Sequence, residues 1–504
     1  MKTVLVYATG AHGCQEAAQI EEAIKYATEG CNVVYVHCGS CLLGCFDNPL
    51  FSRTQCHICV RLQRSRVKKY LSCYNNIKSY CIDEFIDDNI RKEVDSYDYS
   101  YSSTEDLKGK LFHTIPVGYG AMSTYTSLTR NIEAIHRPDQ KAYLQTVLKS
   151  EILLTLALEK ILSQYKFDLI VLHNGRYAQF KPVLGLAIRE QIRYITTEFL
   201  IYNGGLVLKN HYENATPHSV QANTVKDYDV WNAAPKGERE AIARSFFENR
   251  RYGKFAGDTI YTKRQEYGKL PDDYNPNVRN IVLFNSSEDE FSAIDPEVDR
   301  FSFFSSQIEG IKTILDKYKD DSSMHFYLRI HPNLKDVPYP YHTDLKKLDY
   351  PNLTVIDGYS SISSYSLLDI AEKVIVFGST MGIESVYWGK PVICLAYALY
   401  EYLDVIYRPV SPKNLWEMID DTALPVKDQS NTFPYGYYYM TEGQEAFDYI
   451  DCNFKYYKIL GHTLQVSKYL TMFGSNFLYL LYSLFIKKVA KKIPFYGKFK
   501  QIPR

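Results

Sequence analysis

Phe377-Gly378-Ser379-Thr380-Met381-Gly382-Ile383-Glu384-Ser385-Val386-Tyr387-Trp388-Gly389-Lys390-Pro391-Val392-Ile393 reads as a buried strand, a Gly–Ser–Thr turn, a short helix and the start of another strand. Gly389-Lys390-Pro391 closes the helix, because proline cannot continue one. A helix that starts directly after a strand leaves backbone N–H groups free at its N-terminus, and these attract phosphate. Ser379 and Thr380 add hydroxyls, Gly382 lets the backbone come close, and Glu384 lies where a carboxylate can accept ribose hydroxyls. The expected ligand is therefore a nucleotide.

The same alternation extends outward from this segment. Apolar runs predict strands over 280–285, 325–330, 353–355, 373–377 and 391–394, with helices over 307–317, 363–370 and 382–388. Strands alternating with helices imply a parallel sheet covered on both faces. A similar pattern opens the chain: strand 3–8, turn 9–13, helix 15–28 and strand 32–37. It resumes with helix 140–165, strand 168–172, a loop at 174–176, helix 182–191 and strand 194–198. The chain of 504 residues thus reads as α/β with two doubly wound domains, 1–275 and 276–435. The polar stretch 210–278 reads as helices and a linker closing the first domain, and 436–462 as a helix packing back.

Two loops beside the opening segment carry candidate chemistry. Leu328-Arg329-Ile330-His331-Pro332 ends a strand, and open α/β sheets bind ligands beyond that edge. Arg329 and His331 can stabilise the charge that develops on a leaving phosphate. Ser286 and Ser287 follow the first strand of the second domain, where they either reach the donor or cap a helix.

The first domain offers His173-Asn174-Gly175-Arg176, then Glu198, then Pro217-His218. Arg176 suits a phosphate or an acidic sugar. Glu198, or alternatively His12 in the turn after the first strand, can take a proton from an acceptor hydroxyl.

With these motifs the chain resembles bacterial capsule and surface-polysaccharide biosynthesis proteins of the GT-B glycosyltransferase fold. These include the Kdo-transferring capsule enzymes and, more distantly, the glycerophosphate-transferring teichoic acid polymerases. The resemblance rests on Arg329-Ile330-His331-Pro332, on Gly378-Ser379-Thr380 through Pro391, and on the first-domain pattern. It implies two Rossmann-like domains facing across a cleft and sugar transfer from a nucleotide sugar without a cofactor. It also implies a glycan or glycolipid acceptor lined by Asn174, Arg176 and His218. A glycerophosphotransferase, a UDP-sugar 2-epimerase or a non-catalytic assembly partner stays open as the alternative.

Composition bounds the partners. Lys+Arg 58 balances Asp+Glu 58, which argues against a nucleic-acid binder. The N-terminus lacks the long apolar core of a signal peptide, so a cytoplasmic protein is expected. Residues 463–504 hold an apolar run, 473–486, followed by six lysines. The run is shorter than the roughly 20 residues a membrane span needs. It reads as a peripheral anchor on the anionic inner face of the cell membrane, or as a docked basic helix.

Cys38, Cys41, Cys45, Cys56 and Cys59 crowd one short segment. Cys38, Cys45, Cys56 and Cys59 are the expected ligands of a structural zinc or iron–sulfur centre, with Cys41 spare. Reduced, partly buried thiols are the other reading.

Overall fold

The structure is a computed structural model. It describes residues 1–10, 14–46, 48–49, 51–134, 137–201, 207–254, 256–257, 260–441, 450–453, 456–459 and 462–465. His12 and residues 466–504, which include most of the proposed anchor, lie outside the described residues.

The first unit holds a sheet of β1 (Thr3–Ala8), β2 (Asn32–His37), β3 (Ile77–Cys81), β4 (Leu169–His173), β5 (Arg193–Ile201) and β6 (Val207–Glu213). Their spatial order is β3-β2-β1-β4-β5-β6. All neighbours run parallel except β5 and β6. The second unit holds β7 (Arg279–Phe284), β8 (Met324–Arg329), β9 (Leu353–Ile356), β10 (Lys373–Val376) and β11 (Val392–Cys394), all parallel, in the order β11-β10-β7-β8-β9. The expected strands recur, β1 and β2 at the expected bounds and the others with ends shifted by up to three residues. The strands at β3 and β6 were not foreseen. β6 begins where a polar helical stretch was expected, because pairing with β5 outweighs its weak local preference.

In each sheet the chain winds outward in one direction and then returns to wind the other way. The reversal falls between β1 and β4 in the first unit and between β7 and β10 in the second. There the connections on either side leave a crevice at the strands' carboxyl ends. The strand cores follow from burial on both faces: β1 is apolar from Val4 and β7 from Ile281, and both are buried from their second residue on.

The two compact units divide at 217/218, not near 275. The reason is packing. The helix Arg239–Arg251 presents Phe246 and Phe247 to the core of the second unit, and Phe247 stacks on Tyr387 at 4.2 Å between ring centroids. The helix Phe433–Thr441 packs on the same helix, with Gly436 against the Ala243 carbonyl. Beyond it, β12 (Ile450–Asn453), β13 (Tyr456–Ile459) and β14 (His462–Gln465) form a small antiparallel sheet where a helix was expected. That sheet groups with the first unit.

One buried carboxyl makes the first unit's core sensitive to pH. Glu151, on the helix Pro138–Gln164, is fully buried against Gly120, and neither carboxyl oxygen has a hydrogen-bond partner among the described residues. Burial pushes its pKa well up, with Lys181 opposing. The folded state therefore keeps a proton that the unfolded state loses above about pH 4.3. Stability should fall as pH rises from there towards the folded pKa, by at most about 1.4 kcal/mol per pH unit. Glu151→Gln removes this slope. Urea unfolding at about pH 5 and about pH 7 should show the variant gaining on wild type at the higher pH.

Candidate functional site

The second unit's crevice is built from the ends of its three central strands. β7 delivers Phe284 and Asn285, β8 delivers Arg329 and His331, and β10 delivers Ser379 and Thr380. Together with Arg250, Tyr261, Gln265, Ser364, Tyr365 and Glu384 they line a cavity of about 50 Å³. That is far less than the roughly 300 Å³ of a small-molecule pocket, and it has room for a phosphate-sized group rather than a whole nucleotide.

Arg329 is the decisive cation. Its side chain is almost wholly buried. Its Nη1 donates to the Asp357 carbonyl at 2.7 Å and its Nη2 to the Ser360 carbonyl at 3.2 Å. Its Nε has no hydrogen-bond partner among the described residues. The Asp357 carboxylate is engaged by Lys346 at 2.7 Å. Two neutral carbonyls orient the guanidinium but do not neutralise it. Desolvation accordingly lowers its pKa to about 10, against an attraction from Asp357. A buried cation held this way is poised for an anion.

His331 is set by its own turn. Its N–H donates to Asn285 Oδ1 at 2.9 Å, and its Nδ1 accepts the Asn333 N–H at 3.2 Å. In the neutral ring that assigns the proton to Nε2, which can then donate. Tyr261 meets the imidazole edge-on, with ring centroids 5.0 Å apart.

The Gly–Ser–Thr turn is tightly packed. Gly378 has φ +82°, and a β-carbon there would collide with the Tyr397 carbonyl oxygen. Gly382 faces the Tyr400 hydroxyl, which donates to the Ser379 carbonyl. The helix Met381–Tyr387 has only seven residues, and Thr380 makes no side-chain cap. Its N-terminus adds a partial positive charge beside the full charge of Arg329.

Three expected donor contacts turn out differently. Glu384 lines the cavity, but its carboxylate receives Arg250 Nε at 2.9 Å and the Tyr365 hydroxyl, so it is a buried anchor rather than an open ribose acceptor. Ser286 exchanges hydrogen bonds with the Gln307 side chain at 2.8 and 3.0 Å, and Ser287 Oγ accepts from Asn333 Nδ2 at 3.2 Å. Both serines brace the turn, and Asn285 is the residue that reaches the cavity. Arg250, Tyr261 and Gln265 were missed because they lie in the polar stretch assigned to the first domain.

In the first unit, Asn174, Arg176 and Glu198 do come together. Asn174 Nδ2 donates to Glu198 Oε2, and Asn174 Oδ1 accepts the Arg176 N–H at 3.1 Å. Asn174 and Gly175 both have positive φ, which bends the chain sharply after β4. Arg176 Nε donates to Ser123 Oγ at 2.5 Å, and Thr124 Oγ1 accepts the Ala178 N–H at 2.9 Å. Burial lowers the pKa of His173, with Glu198 opposing. His218 falls in the second unit, where its carbonyl accepts the Tyr397 hydroxyl at 2.7 Å.

Cys38, Cys45, Cys56 and Cys59 line one further cavity, between the end of β1 and the helix Arg53–Arg66. Among the described residues no three His, Cys, Asp or Glu side chains are drawn together as a metal cage. Cys41 is not idle: its proximity to Cys38 lowers the Cys38 pKa and, together with burial, raises its own.

The model of the family "Capsule polysaccharide biosynthesis protein" matches residues 260–408. That segment is less than a third of the chain. It spans β7 to β11 and includes Arg329, His331 and the Gly–Ser–Thr turn. No curated protein matches the chain significantly. Among solved structures, the chain is similar to the beta Kdo 2,4 transferase of KpsC from Thermosulfurimonas dismutans, at 13% identity over 54% of this chain and 79% of that one, with a TM-score of 0.35. The beta Kdo 2,7 transferase of the same KpsC gives 14% identity over 56% and 79%, with a TM-score of 0.31. UDP-GlcNAc 2-epimerase from Neisseria meningitidis gives 13% over 88% and 95%, with a TM-score of 0.20. Superpositions this loose set no residue equivalences.

The Arg250–Glu384–Tyr365 anchor can be tested by unfolding. Glu384→Gln leaves Arg250 buried without its counter-charge and should cost about 3–5 kcal/mol. Tyr365→Phe removes one hydrogen bond to a charged group and should cost about 1.5–3 kcal/mol. Denaturant unfolding of the full chain gives both values. Equal, negligible losses would show that the triad does not hold the cavity wall.

Proposed function

We propose that the protein is a glycosyltransferase that moves a sugar from a nucleotide-sugar donor to a growing capsular or surface polysaccharide. The observation that carries this reading is Arg329: a buried guanidinium with no carboxylate hydrogen-bonded to it among the described residues, at the second sheet's switch point. The donor's phosphate enters the small cavity and meets Arg329, with His331 Nε2–H as a second donor. Negative charge builds on the phosphate as the glycosidic bond to it breaks, so fixed positive groups lower the barrier more than they tighten ground-state binding. Arg329 supplies the charge that a divalent metal supplies elsewhere, so transfer proceeds without one. The match of residues 260–408 to capsule polysaccharide proteins supports a polysaccharide acceptor.

On the acceptor side, Glu198 takes the proton from the attacking hydroxyl. Its hydrogen bond from Asn174 orients the carboxylate. His12 remains the rival base. Arg176 is the residue to meet an acidic sugar or phosphate. The lysines after residue 486 hold the enzyme on anionic lipid at the inner membrane face.

Nucleotide binding is the first test. In a thermal-shift screen against CMP, UDP, GDP and dTDP and their sugar conjugates, one nucleotide should raise the melting temperature. Arg329→Gln and His331→Ala should abolish that rise. Glu198→Gln should keep it while lowering the transfer rate about 10²–10⁴-fold. Conversion of the sugar nucleotide without any acceptor would replace this reading with an epimerase. Deleting 466–504, which leaves β14 in place, should release the protein from the membrane fraction without changing its nucleotide shift.

A further inference from the structure

The cysteine-lined cavity belongs to neither the donor nor the acceptor chemistry. Its wall is formed by Thr9, Gly10, Ser40, Leu42, Asn48 and Val60 together with Cys38, Cys45, Cys56 and Cys59. Its volume is about 20 Å³, close to that of a single water or ion. A void of this size in a well-packed core is ordinarily filled by a methyl or a leucine tip. Here four cysteines line it instead.

Those four come from separate parts of the segment. Cys38 leaves the end of β2, Cys45 lies in the loop, and Cys56 and Cys59 sit three residues apart on one helical face. Between His37 and Arg53 the chain forms neither helix nor strand among its described residues. It is held by turns and by single contacts such as the Ser150 hydroxyl on the Leu43 carbonyl. A covalent-strength fastening at this point would replace the missing regular structure.

Two sulfurs already receive N–H donors. The Ser40 N–H points to Cys38 Sγ at 3.3 Å and Asn48 Nδ2 to Cys56 Sγ at 3.0 Å. The same Asn48 also ties the loop to the helix start, donating to the Ser52 carbonyl at 2.9 Å and accepting the Ser52 N–H at 3.0 Å. Donors aimed at sulfur are the outer-shell partners that thiolate–metal centres use to orient and tune their ligands. Cys41 does not line the cavity and faces Cys38 and Asp83 instead.

We propose that Cys38, Cys45, Cys56 and Cys59 bind a thiophilic metal centre in this cavity, fastening the loop after β2 to the helix Arg53–Arg66. The sulfurs are not closed up as a cage. Binding therefore includes rotation of the cysteine side chains and contraction of the irregular loop, so metal affinity and local folding are coupled. The centre is structural, since four protein sulfurs leave no open coordination position. This assignment is independent of the transferase reading.

The test uses the full chain, purified anaerobically under reducing conditions. Elemental analysis and acid-labile sulfide distinguish zinc from an iron–sulfur cluster. About one zinc per chain without colour, or iron with sulfide and a visible charge-transfer band, supports the proposal. Cys59→Ser should lower metal content at least about tenfold, whereas Cys41→Ser should retain it. Chelator-treated wild type should melt lower and recover on adding zinc, or ferrous iron with sulfide; this arm does not depend on a variant folding. The proposal is overturned if no metal co-purifies and none is taken up on reconstitution. Equal loss in Cys41→Ser and Cys59→Ser would overturn the assignment of the four ligands.

Discussion

The second unit depends on one buried ion pair. Arg250 reaches from the helix Arg239–Arg251 to Glu384 on the helix Met381–Tyr387, and Tyr365 closes the remaining carboxylate oxygen. Burying both charges costs several kcal/mol of solvation, and their attraction roughly returns it, so the pair adds little net stability. What it provides is geometry. The carboxylate accepts its partners in one arrangement only, which fixes the helix that follows the Gly–Ser–Thr turn. Thr380, Met381 and Arg250 then form one wall of the cavity, with Arg329 and His331 supplied by the end of β8, two strands away from β10.

This arrangement separates two kinds of charge. Glu384 neutralises Arg250 inside the wall. Arg329 is oriented by backbone carbonyls and keeps its positive potential. Had an acid been bonded to Arg329, the cavity would be electrically quiet. A phosphate entering here gains a fixed, desolvated cation whose reorganisation is already complete. The first unit shows a parallel logic on a smaller scale. Asn174, bent by its positive φ, spans Glu198 and the Arg176 backbone, and the small hydroxyls of Ser123 and Thr124 hold the following loop.

Much of the architecture was legible in the chain. Apolar runs bounded by turn residues located β1, β2, β7, β8 and β10 to within a residue, because strands buried on both faces need no tertiary information to be apolar. Arg329, His331 and the Gly–Ser–Thr turn were legible for a related reason: ligand-facing residues in such sheets follow directly after strands. The helix Arg239–Arg251 was not assigned correctly. Its apolar residues Phe246 and Phe247 are adjacent, and nothing in their spacing tells which sheet they cover.

The sequence by itself determined the alternation of strands and helices, and with it two doubly wound units and the sheet edge where each gathers its candidate site residues. These follow from local periodicity and from the backbone's need for paired hydrogen bonds. Only the tertiary structure decided partnership. It gave Glu384 the partner Arg250 and Ser286 the partner Gln307, placed His218 in the second unit, and gathered four cysteines around one void. Partners of this kind lie tens to more than a hundred residues apart in the chain, and no short-range pattern encodes which polar group will meet which.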